Sequence, residues 1–181
     1  MQPKPSPMIE ALKAGGPAAD REAAMALYGW LIGAWDVEVL DHEAGGAIRR
    51  SRGEWHFDWV LEGRAIQDVF IVPPRAERRS GGMPGAGNRC GTTLRVPNPA
   101  DGTWRIDWSN PVTLARNSMI GRRQGNEIVQ DGIDADGDDA PYRWVFSDIG
   151  ADAFRWRAEI SRDGGRSWTV TVEFHVTRAA S

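Results

Sequence analysis

The chain has 181 residues, with nine Trp, 21 Gly, a single Cys and a formal net charge of −3 at pH 7. That charge argues against general electrostatic attraction to nucleic acid or acidic lipid, and the lone Cys90 excludes an intramolecular disulfide or a multi-cysteine zinc site. No apolar run approaches the roughly 20 residues of a membrane helix, and the opening Met1-Gln2-Pro3-Lys4-Pro5 has no signal-peptide core behind its Lys. A single domain in the cytoplasm, with no membrane or nucleic-acid partner and no metal, is the expectation.

Residues 1–17, rich in Pro, Gly and Ala, read as a mobile N-terminal tail, which leaves 18–181 as one helix-plus-β-barrel domain. Asp20 is placed to cap a short helix that carries Met25, Tyr28, Leu31 and Ile32 on one side, and Gly33 suits its left-handed end. From Ala34 onward the period is two. Trp35, Val37 and Val39 alternate with polar residues, and Trp55, Phe57 and Trp59 stand opposite Glu54, His56 and Asp58. Ala65 to Val72 is apolar on both faces, as a strand covered twice would be, with the helix as the second cover. The long irregular stretch 73–89 reads as a disordered loop or a lid.

Strands resume at Gly91–Val96, Trp104–Trp108, Asn117–Arg122, Glu127–Ile133 and Tyr142–Ile149. The chain ends in a long hairpin over Asp163-Gly164-Gly165. Phe154, Trp156, Ala158 and Ile160 alternate on one arm, and Trp168, Val170, Val172, Phe174 and Val176 on the other. About ten short antiparallel strands joined in sequence by turns predict an all-β, up-and-down barrel with one short N-terminal helix. Burial demand turns the aromatic rows inward, leaving either an apolar cavity or a packed interior. Aromatics left outside would instead build a homodimer interface.

Gly33-Ala34-Trp35 at the opening of the first strand resembles the start of a lipocalin-type barrel of the calycin superfamily. The resemblance implies a Trp across the closed end, with an Arg near the last strand, Arg178 or Arg157, packed over it. The stretches Leu61-Glu62-Gly63-Arg64-Ala65-Ile66-Gln67-Asp68, Phe154-Arg155-Trp156-Arg157 and Asp163-Gly164-Gly165-Arg166-Ser167-Trp168 are similar to uncharacterised bacterial lipocalin-like proteins. Nitrobindin-like haem barrels of the same superfamily are a more distant likeness. They imply a proximal His close to the C-terminus, and His175 has that location.

The reading that follows is a barrel binding a small hydrophobic or aromatic molecule, with no cofactor. Trp55, Trp59, Trp104, Trp108, Trp144 and Trp156 would supply area, and Gln67, Asp68 and Tyr142 orientation. Gln67 and Asp68 lie on opposite faces, so one of them is covered; a covered Asp68 needs a partner, with Arg95, Arg105 and Arg157 as candidates. The alternative is a cofactor-independent lyase, isomerase or cyclase in the same cavity, moving protons through His56 with Asp58 or His175 with Glu173. Haem on an inward-facing His175 is a further alternative. Asp134 to Asp139 resembles a calcium loop only at its first carboxylates, because Asp139 stands where Gly is required; a solvated turn is expected there.

Overall fold

The computed structural model describes residues 6–78, 89–133 and 140–180. Its period-two segments form ten strands: β1 Gly33–His42, β2 Ile48–Val60, β3 Ala65–Val72, β4 Arg89–Asn98, β5 Thr103–Ser109, β6 Arg116–Gln124, β7 Glu127–Ile133, β8 Pro141–Ser147, β9 Ala153–Ile160 and β10 Thr169–Arg178. Each pairs antiparallel with the next, and β1 pairs with β10 to close the barrel. Closure leaves no sheet edge unpaired, which removes the hazard of exposed strand edges.

Two helices precede the barrel, α1 Pro7–Leu12 and α2 Glu22–Gly29. The segment expected to be a tail is therefore partly structured. Ser6 caps α1 and Pro7 opens it. Beyond it, Leu12 accepts from Leu61 N, Ala14 N donates to Trp59 O, and Ala18 N donates to Gly63 O, so the chain is laced to the β2–β3 turn. These are backbone bonds to distant residues, and no sequence period announces them.

α2 closes one end of the barrel. Its Met25 and Tyr28, with Leu31, meet Trp35, Trp104, Ile106 and Phe146 in one continuous core. Asp20 does not cap it; the carboxylate is 2.9 Å from Arg64 Nη1, and the cap position falls to Arg21 with no side-chain bond. The helix also stops before Gly33, whose φ of 124° instead bends the chain into β1. Trp35 is fully buried across this end and donates to Leu31 O at 2.6 Å. The Arg178 guanidinium sits 3.9 Å from the Trp35 ring centre and donates to Ile32 O and Trp30 O.

The aromatic rows of β2, β5, β8 and β9 turn inward, with one reversal in the final strand. Pairing shifts between Val170 and Val172, so Val170 lies opposite Glu159 while Val172 lies opposite Ala158. One extra residue in a strand exchanges its faces. Trp168 therefore leaves the inner row and lies beneath Arg143, 4.1 Å from the guanidinium. The expected double cover of β3 is also incomplete, since Val69 remains 40% exposed on its outer face. α2 meets β3 at the closed end of the barrel and leaves Val69 uncovered.

Candidate functional site

The two ends of the barrel are filled differently. Toward α2, large side chains interlock, with Tyr28 edge-on to Trp104 at 4.8 Å and Phe154 edge-on to Trp35 at 4.9 Å. Toward the other end the inward positions include Thr93, Asn117, Ala158 and Val172, too small to meet across the lumen. A cavity of about 330 Å³ remains there. Trp55, Phe70, Trp108, Trp144, Trp156 and Phe174 form most of its wall, with Ala158 and Val172 beside them and Asp68, Thr93, Arg89, Asn110, Thr113 and Asn117 as its polar members.

The wall is ordered by ring contacts. Trp156 stacks on Phe174 at 4.3 Å, and Phe174 on Phe70 at 4.9 Å, giving three nearly parallel rings in a row. Trp55 stands at 89° to Trp156, Trp144 at 66° to Trp156, and Trp108 at 79° to Trp144. Trp108 lies so close to Gly91 that a Cβ there would come within 2.8 Å of its indole nitrogen. That glycine is required by a close approach.

Asp68 is the buried carboxylate of the site. Its Oδ2 is bonded to Arg95 Nη1, its Oδ1 accepts from Thr93 N at 3.2 Å, and both side chains of the ion pair have no exposure. Arg95 is the partner among the three arginines considered. It lies deeper than Asp68, with its guanidinium over Tyr28, Phe57 and Phe146 at 5.4–5.9 Å. Beside it, burial pushes the Tyr28 hydroxyl up to about 12, with Arg95 and the hydrogen bond from Gln130 pulling the other way. At the rim, Arg89 pairs with Asp41, which Arg49 also holds at 2.9 Å.

Of the sequence candidates, Trp55, Asp68, Trp108, Trp144 and Trp156 meet around the cavity. Trp104 is buried at the closed end. Trp59 packs against Gly29 of α2 at the same end. Tyr142 fills the space over Gly132, where its ring would clash with any Cβ, and its hydroxyl reaches Ser118 O at 3.5 Å. Gln67 is on the outer face, donating to Thr92 Oγ1 at 3.0 Å, because it alternates with the inward Asp68.

The histidine candidates also stand outside. His56 Nε2 is 2.9 Å from Glu54 Oε2, not beside Asp58, whose carboxylate is 3.3 Å from Lys13 Nζ. Burial raises the Glu54 carboxyl, but hydrogen bonds from Arg75 and His56 outweigh it and hold the group down at about 2. His175 lies 2.7 Å from Glu173 and 3.3 Å from Glu38, with Arg155 bonded to both His175 and Glu173. For Glu173 too, desolvation raises the carboxyl, and contacts with His175 and Arg155 lower it further than that. His42, the remaining histidine, is 4.0 Å from the same Glu173. No imidazole therefore faces the cavity. The site does not fit a haem held by His175, and neither histidine pair can exchange a proton with a molecule in the lumen.

Phe70, Phe174 and Thr93 were absent from the sequence candidates, although extending the inward alternation along β3, β4 and β10 reaches all three. Arg89, Asn110 and Thr113 carry no such signal, because they sit where strands end and turns begin.

Fold and cavity together define a closed ten-stranded β-barrel with a ligand-sized space at one end. No protein-family model and no curated protein sequence matches the chain. Among solved structures it is similar to Rv2717c from M. tuberculosis, at TM-score 0.61 and 13% identity over 91% of this chain and 99% of that one. It is also similar to the S-type phycobiliprotein lyase CPES from Guillardia theta, at TM-score 0.54 and 11% identity over the same shares. At such identities the likeness is one of fold alone.

Proposed function

We propose that this protein binds a small apolar or aromatic molecule inside its barrel. The observation that carries the reading is the cavity of about 330 Å³ walled by four Trp and two Phe at the end of the barrel away from α2. Apolar concavities of roughly 300 Å³ and above, with a few polar groups, are what small ligands occupy. The aromatic wall supplies area and edge or face contacts for a ring. One protein of the same fold bears the name phycobiliprotein lyase; that likeness concerns the fold, and the binding reading rests on the cavity.

The test is a Trp-fluorescence titration with aromatic, polyene and fatty compounds, each mixture assayed afterwards for loss of the compound. Saturable quenching by one class, with the compound recovered intact, is expected. Ala158→Phe, which fills the space from β9, should weaken that binding about tenfold with an unchanged circular dichroism spectrum, since a molecule sharing the cavity would lose its room. Binding unaffected by the filling residue would move the ligand elsewhere and overturn the reading.

A further inference from the structure

Two indoles at the closed end find acceptors in the backbone: Trp35 donates to Leu31 O at 2.6 Å, and Trp30 to Leu27 O at 2.9 Å. Two in the cavity wall do not. Trp55 and Trp156 are only 4% and 6% exposed, and the indole nitrogen of each is buried with no acceptor among the described residues. The two rings adjoin, with centres 6.2 Å apart and planes at 89°, so both donors belong to one corner of the wall. An unpaired buried donor has lost its hydration without compensation, and such groups are few in native interiors. Two of them, on adjacent rings that border the same cavity, mark where an acceptor belongs.

The wall's own acceptors are committed elsewhere. Asp68 is held by Arg95 and the Thr93 amide, and Asn110 Oδ1 accepts from Val112 N at 2.9 Å. Gln130 Oε1 is also unbonded, but it lies at the closed end, where its amide donates to Tyr28. The charge of the missing acceptor follows from the same residues. Arg95 is neutralised by Asp68, and Arg89 at the rim is paired with Asp41. A carboxylate in the cavity would face no unpaired cation, and burying an ion without a partner costs far more than burying a neutral dipole. A carbonyl oxygen is uncharged and has two lone pairs, one for each indole. The torsion that tilts an indole ring is broad, so a small rotation turns either N–H toward a ligand. Resting on the cavity-binding reading, we infer that the ligand carries an uncharged carbonyl oxygen on its aromatic or apolar body, and that the Trp55 and Trp156 indole N–H groups donate to it.

A matched trio tests this: 2-acetylnaphthalene, its hydrocarbon isostere 2-isopropenylnaphthalene, and 2-naphthoate, each titrated into the whole chain and followed by fluorescence. Trp55→Phe and Trp156→Phe keep an aromatic ring and delete the donor. Each should weaken the ketone about fivefold, the value of one neutral hydrogen bond. The hydrocarbon, which reports any change in room, should change by less than about twofold, and the naphthoate should bind weakest throughout. Because a smaller ring can loosen the barrel, proton–nitrogen correlation spectra of the native chain provide a second arm. The assigned indole resonances of Trp55 and Trp156 should move downfield with the ketone and not with the hydrocarbon. Equal losses of ketone and hydrocarbon in the variants, indole resonances that respond alike to both, or tightest binding of the naphthoate would overturn the inference. Saturable binding of the hydrocarbon without these ketone responses would overturn it alone, whereas no binding by any class would sink the cavity reading beneath it.

Discussion

Arg95 and Asp68 are each without exposure, so neither charge is offset by water. Removing one member of such a pair strands the other, at a cost of about 3–5 kcal/mol, while replacing both with apolar groups of similar volume is often neutral. Arg95→Met should therefore cost about that much in urea unfolding, and Arg95→Met with Asp68→Leu should recover most of it. Equal losses in the single and double variants would show that the charges are not coupled. The alternation within β3 showed that either Gln67 or Asp68 is covered without choosing between them, and three arginines could have answered a covered Asp68. The choice is made by register, which sets Asp68 opposite Thr93 and Ile66 opposite Arg95, and register between strands is not written in either strand alone. On the outer face, Glu54 gives a pH-dependent contribution. Its carboxyl is held at about 2 against the ordinary 4.5, so the native state favours the ionised form. The stabilisation is complete above pH 4.5, declines as the pH falls toward about 2, and is lost below it. Since Arg75 is 66% exposed, the amount is about 1 kcal/mol rather than the full value of the shift. Glu54→Gln should flatten the unfolding free energy across that acid window by this amount, and an unaltered acid slope would exclude Glu54 as its source.

At the scale of elements, all ten strands were legible, most of them through the alternation of a wet and a dry face; β3, apolar on both faces, and β7, with Ile128, Val129 and Gln130 buried in succession, depart from it. It failed where the period breaks. The shift between Val170 and Val172 sends Trp168 outside, although strict alternation through Thr169 and Thr171 gives no hint of it. The N-terminal segment was illegible for a different reason: it docks through backbone amides, which every sequence possesses. Gly63 is where that docking meets the barrel. Its φ is 75°, and a Cβ there would overlap the Gly16 carbonyl and crowd the Ala18 nitrogen. Gly63→Ala should therefore cost about 1–2 kcal/mol from the left-handed backbone alone, and the overlap should also lift residues 16–18 away. Hydrogen exchange reads the second effect. The Ala18 amide, bonded to Gly63 O, should lose protection beyond the global change, while amides of β1 follow the global change only. Uniform loss along the chain would mean that the segment is not a separate unit.

For the whole molecule, the aromatic rows could fill the lumen or enclose a space, and composition does not decide between these. The outcome depends on which large residues face one another at the same height in the barrel. At the α2 end they do, and the interior is solid. At the other end Thr93, Asn117, Ala158 and Val172 fall among the Trp residues, and space is left. The cavity wall draws on every strand except β1 and β7, so a ligand in it touches elements joined only by the intact barrel. Such a ligand binds the folded state and not the unfolded chain. At a free concentration of 100 Kd it adds about 2.7 kcal/mol, which for a chain of this length raises Tm by roughly 5–10 °C. The compound selected by fluorescence should produce that shift in the native chain. In Ala158→Phe the Tm without compound should stay within a few degrees, and the ligand-induced rise should nearly vanish. A rise retained in the filled variant would assign the stabilisation to the barrel's exterior, where the His56 and His175 clusters lie.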